Sequence, residues 1–340
     1  KNEDIHIGIG YVGCRMNKNG IVSKKTNKRD AWSFLLFVFL LPYVCACLWG
    51  HVGEETGKLK QDVAKERDAY MVEAAVEWGV WELPMEEYLA YRLSLTMPED
   101  YHAEAKKAQA VLLRTELAAL YQEQDEKKIV VDGEGLGKFY GDTGEENEEV
   151  LRESRKAVEE TEGLILTYLD EPIRASYFKL SNGFTRAAET TGENACPYLT
   201  RVICEQDQSS PEYHSAVRVD KGTYIDTVRG ILEENIAEET IWEGGEFFFD
   251  DSGYMTKVSY PVGNGEKEVV DGESFRHLFG LKSASFEMSR DEQSVIFHVT
   301  GVGHGFGMSQ FEANCRAGNG ENYQEILADF FFRTELAKFE

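Results

Sequence analysis

Residues 301–317 read GVGHGFGMSQFEANCRA, and they hold the densest set of side chains that could do chemistry. Four glycines alternate with Val302, His304 and Phe306, and Ser309 and Gln310 follow at once. Backbone without Cβ atoms can come close to a ligand or to another strand. His304 supplies a ring that titrates near neutrality, and Ser309 and Gln310 supply hydrogen-bonding groups at the mouth of a helix. The alternative is a glycine-rich strand-to-helix turn with a structural histidine. A second set lies in residues 102–121, where Lys107 and Arg114 stand seven apart and so share one face of a helix. On spacing alone that face reads as solvated. Cys196, Cys204 and His214 could gather a metal such as zinc, but their C-x7-C-x9-H spacing matches no established zinc pattern, so paired or unligated cysteines are the simpler reading.

These groups need elements to position them. Ala105, Ala108, Val111, Leu112, Thr115 and Ala118 form an i, i+3, i+4 stripe, so residues 102–121 are expected to be an amphipathic helix packed closely on a neighbour. Glu99 and Asp100 follow Pro98, which marks a turn or a helix start. Residues 151–161 read as a second helix. Residues 164–170 and 172–180 read as strands meeting at a tight turn, and 181–215 as a long ordered loop. A hairpin turning at Asp251, Ser252 and Gly253, a short helix at 273–278, a strand pair at 284–288 and 295–300, and two closing helices at 308–316 and 323–332 complete the order. The class is α+β, a two-lobed mixed domain with a substrate groove.

Net charge is −25, and it is unevenly spread. Residues 1–30 carry seven Lys/Arg against three acidic residues, whereas the rest carries 29 basic and 58 acidic ones. So acidic a body argues against nucleic acid, which needs a basic footprint. Residues 31–50, AWSFLLFVFLLPYVCACLWG, contain no charge and reach the length of one membrane span. Lys24, Lys25, Lys28 and Arg29 precede it and Glu54 and Glu55 follow, which places the N-terminus in the cytoplasm and the rest outside. A cleaved signal peptide is the alternative. The expected organisation is therefore a cytoplasmic leader at 1–30 (with 1–15, upstream of Met16, read as non-native), a transmembrane anchor at 31–50, a charged stalk or first helix at 51–80, and one domain over 80–336. Six cysteines, two of them inside the span, make no dense disulfide framework.

Two distant segments together resemble the stage II sporulation protein D family, which includes the amidase enhancers. Residues 97–115, MPEDYHAEAKKAQAVLLRT, resemble its Glu-Met-Pro pattern followed by Glu-Ala-Leu-Lys-Ala-Gln-Ala-Val-Ala-Ala-Arg-Thr. Residues 301–331 resemble its Gly-His-Gly-Val-Gly-Met-Ser-Gln hallmark and the Tyr-x-Glu-Ile-Leu helix after it. Residues 176–186, 196–207 and 275–286 also look like family segments, in the same order. The resemblance implies a membrane-anchored lytic transglycosylase of sporulation, acting during engulfment on peptidoglycan glycan strands whose stem peptides an amidase has removed. One carboxyl group would protonate the glycosidic oxygen and then take the proton of the sugar's 6-hydroxyl, closing a 1,6-anhydro ring. Such an acid needs a raised pKa.

This sequence departs from the pattern at that acid. Thr96 stands where the family has the Glu of Glu-Met-Pro, and a hydroxyl cannot protonate a glycosidic oxygen at neutral pH. Glu99 and Glu104 are the substitutes considered. Lys179 stands where the family has a histidine that binds zinc in some members, and Phe311-Glu312-Ala313 replaces Tyr-Gly-Ala. No cofactor is expected. The expectation is a groove lined by Lys107, Gln109, Arg114, His304, Ser309 and Gln310, with the basic pair holding sugar hydroxyls, acetamido carbonyls or lactyl groups. The alternative is a non-catalytic glycan-binding or interaction protein that stimulates a cell-wall amidase alongside other engulfment proteins.

Overall fold

The computed structural model describes residues 70–339, except residues 78, 125, 140–144, 190–191, 193–194, 233–235 and 264–265. The leader, the span at 31–50 and most of the stalk lie outside the described residues. Among the described residues no helix is long and apolar enough to cross a membrane.

The chain enters on a hairpin, β1 (Met71–Val76) and β2 (Gly79–Pro84), with β3 (Lys128–Asp132) added parallel to β1. Residues 71–80 were expected to end a stalk or first helix. They are strand because Val72 and Ala74 alternate inward, and Gly79, at φ 148°, takes the turn. Two helices follow, α1 (Met85–Thr96) and α2 (Ala103–Gln124). The alanine stripe expected in α2 is present, and Ala105, Ala108, Ala110 and Ala118 are fully buried. Small side chains let α2 run through the middle of the lobe. It packs against α1, α3 (Glu145–Glu160), β4 (Leu164–Tyr168), α7 (Gln310–Gly318) and α8 (Tyr323–Phe330).

The expected turn after β4 falls at Leu169 and Asp170, both at positive φ, and β5 (Glu171–Pro172) returns antiparallel. Only β6 (Tyr177–Phe178) of the expected second strand forms. It pairs in parallel with β13 (Met308–Ser309). A final strand, β14 (Glu335–Lys338), closes on β4. Asn322 and Glu325 form a reciprocal capping box at the start of α8.

Between these halves the chain builds a second hydrophobic core. It contains β7 (His214–Asp220), α4 (Lys221–Arg229), α5 (Glu238–Glu243), β8 (Glu246–Phe249), β9 (Met255–Gly263), β10 (Glu266–Asp271), α6 (Gly272–Leu278), β11 (Phe286–Arg290) and β12 (Ser294–Thr300). Two antiparallel sheets, ordered β8-β9-β10 and β7-β12-β11, hold it together. Phe275, Phe286 and Phe297 meet edge-on and offset at its centre. The α+β class is as expected, and the described residues hold two hydrophobic cores.

Residues 301–307 lead from the second core back to the first. Val302 exchanges two backbone hydrogen bonds with Leu180, and Arg186 N–H donates to Gly305. The glycine run therefore approaches another strand segment, which was one of the two readings open from sequence.

Candidate functional site

The two motif segments meet in the fold. Gln310 Nε2 donates to the Thr96 carbonyl at 3.1 Å and to Gln109 Oε1 at 3.2 Å. His102 N–H donates to Asn314 Oδ1, and Tyr323 N–H to Glu104 Oε2. The end of α1, the first half of α2 and the starts of α7 and α8 are thus joined by side-chain bonds between residues more than 200 apart in sequence.

Most of the expected groove-lining residues make this junction rather than a groove. Arg114 is completely buried and forks onto Glu86, with Nε to Oε1 at 2.8 Å and Nη2 to Oε2 at 2.7 Å. Its other donors reach the Leu164 and Val158 carbonyls and Thr161. Gln109 and Ser309 are also fully buried, and Gln310 nearly so. Ser309 caps α7 and donates to both oxygens of Asp207, at 3.0 and 2.8 Å. Lys107 is half-buried between Glu104 and Glu160. It lies on a separate cleft of about 600 Å³ with Glu99, Lys106, Glu153 and Lys156. Arg114, Ser309, Gln310 and Lys107 are structural here because protein groups hold their donors, whereas Gln109 accepts from Gln310 and keeps a buried Nε2 without a partner.

The candidate acids fare in the same way. The Thr96 hydroxyl donates back to the Arg92 carbonyl of its own helix at 2.9 Å. Burial pushes the Glu104 carboxyl up, but the Lys107 ammonium and the Tyr323 N–H outweigh it and hold the group below its ordinary range. That is the wrong direction for a proton donor. Glu99 is exposed beside the lysines of the separate cleft.

His304 lines a different cleft from Lys107. This cleft, about 800 Å³, also takes in Arg174, Ser176, Arg186, Asp250 and Phe306. The ring accepts the Phe306 N–H at Nδ1, so the neutral form carries its proton on Nε2. Burial lowers its pKa, so neutral is the resting state at pH 7. Arg186 was not singled out from sequence. Its guanidinium binds Asp250 of the second core at 2.7 Å and lies over Phe306 at 4.4 Å. A second cleft of about 720 Å³ shares Arg174 and Ser176 with the first and continues to Tyr88 and Arg92 of α1 and Glu116 of α2. The two clefts adjoin at Arg174 and Ser176, and carboxylates (Glu116, Glu123, Asp132, Glu189 and Asp250) line them alongside Arg92, Arg174 and Arg186.

Cys196, Cys204 and His214 do not gather. Tyr198 OH donates to Cys196, burial pushes the Cys204 thiol up, and His214 lies on β7 at a third cleft. Among the described residues no three His, Cys, Asp or Glu side chains come together to hold a metal ion. Lys179, at the position of the family's zinc-binding histidine, pairs with Glu212. An ammonium does not ligate zinc.

The junction itself carries a titratable reporter. Burial pushes Asp207 up to about 6, against opposing hydrogen bonds from Ser181 and Ser309. An unfolded aspartate ionises near ~3.9. Between about pH 4 and 6 the folded chain thus keeps a proton that the unfolded chain has lost, so stability falls as pH rises through that window and levels off above it. Asp207→Asn should abolish this component. Urea unfolding from pH 4 to 7 should show the gap between wild type and variant changing by about 2–3 kcal/mol. A constant gap would mean that Asp207 ionises as freely in the fold as outside it.

The family model described as Stage II sporulation protein matches residues 76–168, which run from the end of β1 through β2, α1, α2, β3 and α3 to β4. Stage II sporulation protein D of Bacillus amyloliquefaciens is 31% identical over 271 residues, covering 76% of each chain. The protein of the same name from Bacillus subtilis (strain 168) is 30% identical over the same length. An amidase enhancer of Bacillus subtilis (strain 168) is 25% identical over 290 residues, covering 72% of this chain and 39% of its own. The likeness to the first two covers 76% of the chain, a larger share than the matched 76–168. The chain belongs to the stage II sporulation protein D family.

Proposed function

We propose that this protein remodels the cell wall in sporulation by holding peptidoglycan glycan strands, stripped of their stem peptides, in the groove that runs from His304 to Arg92. The relatives' names support the sporulation and cell-wall setting. The observation that carries the glycan reading is the adjoining pair of clefts, in which Arg92 and Arg174 stand beside Glu116, Glu123 and Asp132 and among apolar side chains. Arginines suit acetamido and lactyl carbonyls by charge-assisted hydrogen bonds, and apolar walls suit sugar faces and N-acetyl methyls. In this reading the uncharged segment at 31–50 anchors the protein in the cell membrane, with the groove outside. Cleavage by lytic transglycosylation is the activity we assign to it, and a cell-wall amidase supplies the stripped strands.

Retention of amidase-stripped glycan strands by the full-length protein tests the binding. Arg174→Ala should weaken retention about 10-fold or more, the scale of a lost charged hydrogen bond. Lys107→Ala should leave it unchanged, since Lys107 belongs to a different cleft. Weakening by Lys107→Ala but not by Arg174→Ala would move the strand to the wrong side of α2. The second reading, an interaction protein that only stimulates an amidase, is favoured by Thr96 and by the amidase-enhancer relative. It predicts faster stem-peptide release by an added amidase, with no strand retention.

A further inference from the structure

Glu116 was not among the acids considered from sequence, yet it lies in the groove. Tyr88, Arg92 and Thr96 recur every four residues along one face of α1, and the first two line the 720 Å³ cleft. On α2, Gln109 and Glu116 are seven apart and share a face. Gln310 ties Gln109 to the Thr96 carbonyl in the buried junction, and Glu116 stands two turns, about 10 Å, further along α2, where the helix lines the cleft. Its charge and that of Arg92 both reach the Tyr88 and Tyr177 hydroxyls, which places the four groups together. Leu113, Leu117, Pro172 and Ile173 give the site an apolar floor.

The electrostatics suit an acid. Glu116 touches water, but the cleft around it is crowded enough that burial raises its pKa, with Arg92 as the opposing influence. A carboxyl that is neutral more often than usual can give a proton, and a neighbouring guanidinium steadies the carboxylate once the proton has gone. Glu123, Asp132, Arg174 and Tyr88 are the other titratable or charged groups facing this cleft, and Tyr177 lies within reach of the charges on Glu116 and Arg92.

Building on the glycan-strand reading above, we propose that Glu116 is the proton donor and acceptor of strand cleavage in this chain, replacing the acid that Thr96 has lost. The Glu116 carboxyl protonates the glycosidic oxygen as the bond from that oxygen to the muramic C1 breaks, and the leaving sugar departs as an alcohol. The Glu116 carboxylate then takes the proton of the muramic 6-hydroxyl as its oxygen bonds to C1. A 1,6-anhydro end forms, the carboxyl is regenerated, and no water is consumed. Arg92 is a positioning residue for the carboxylate.

The experiment incubates the full-length protein with amidase-stripped glycan strands and reads 1,6-anhydro ends by mass spectrometry, with strand retention measured alongside. Wild type should form anhydro ends, at a rate that falls as pH rises past the raised pKa of Glu116. Glu116→Gln should lower that rate about 10²–10⁴-fold while keeping strand retention and the melting temperature. Glu116→Asp, which keeps a carboxyl at a shorter reach, should retain part of the rate, and Glu99→Gln, exposed at the separate cleft, should retain nearly all of it. The proposal is overturned if Glu116→Gln cleaves like wild type, or if wild type retains strands without forming anhydro ends. Wild type that fails to retain strands overturns the glycan reading instead, and the assignment of Glu116 with it.

Discussion

Arg114→Ala is expected to destabilise the protein by about 3–5 kcal/mol, the range for breaking a buried ion pair from one side. The side chain has no exposure, and its fork onto Glu86 ties the middle of α2 to the first turn of α1. Removing it orphans more than a charge. The Val158 and Leu164 carbonyls, at the end of α3 and the start of β4, lose their guanidinium donors, and so does Thr161. Each buried acceptor left alone adds about 1–3 kcal/mol in principle, so relaxation of the lobe must absorb part of the loss. Arg114→Lys should recover little, because one ammonium cannot serve a carboxylate and two carbonyls in a fixed plane. Urea unfolding of wild type and both variants checks this. A loss below about 1 kcal/mol for Arg114→Ala would mean that the pair is solvated and that the arginine is free to meet a ligand, as the sequence suggested.

That contrast shows where sequence reasoning stopped. Period 3.6 correctly put Lys107 and Arg114 on one face of α2, and the alanine stripe correctly gave close packing. Periodicity does not say whether a face meets water, however. In α2 other elements pack on nearly every side, so a basic pair that reads as a binding surface divides into a core residue and a cleft-rim residue. The strands were less legible for a similar reason. Charged residues on the outer face of β1 and β2 imitate a stalk, and six-residue strands are too short for alternation to outweigh them. The pairing of residues 97–115 with residues 301–317 could be inferred only through the family resemblance, since no local signal records a contact across 200 residues. Glu116 carried no signal at all. One carboxylate on an amphipathic helix reads as solvated, and only the walls supplied by α1 and the β5–β6 segment make it distinctive.

The glycine run was read as a place of close approach, and Gly307→Ala measures how close. Gly307 has φ +79°, a conformation that costs an L-residue roughly 1–2 kcal/mol. An added Cβ would also lie 1.9 Å from the Ser176 carbonyl oxygen, which is backbone and cannot swing aside like a side chain. The same oxygen accepts the Met308 N–H at 3.1 Å, so relief of the clash pulls β13 from β6. Adding about 1–3 kcal/mol for overpacking gives an expected loss of about 2–5 kcal/mol. The effect should also spread along the chain, because β13 itself contains Ser309, which bonds Asp207 and caps α7. Hydrogen exchange of Gly307→Ala should therefore show lost protection through α7 as well as at residues 176–178. Gly318→Ala is the control: a methyl there meets open space at ordinary φ and should change stability by less than about 1 kcal/mol. If both variants melt like wild type, residues 301–307 can shift away from Ser176 without loss, and the glycines serve something other than this contact.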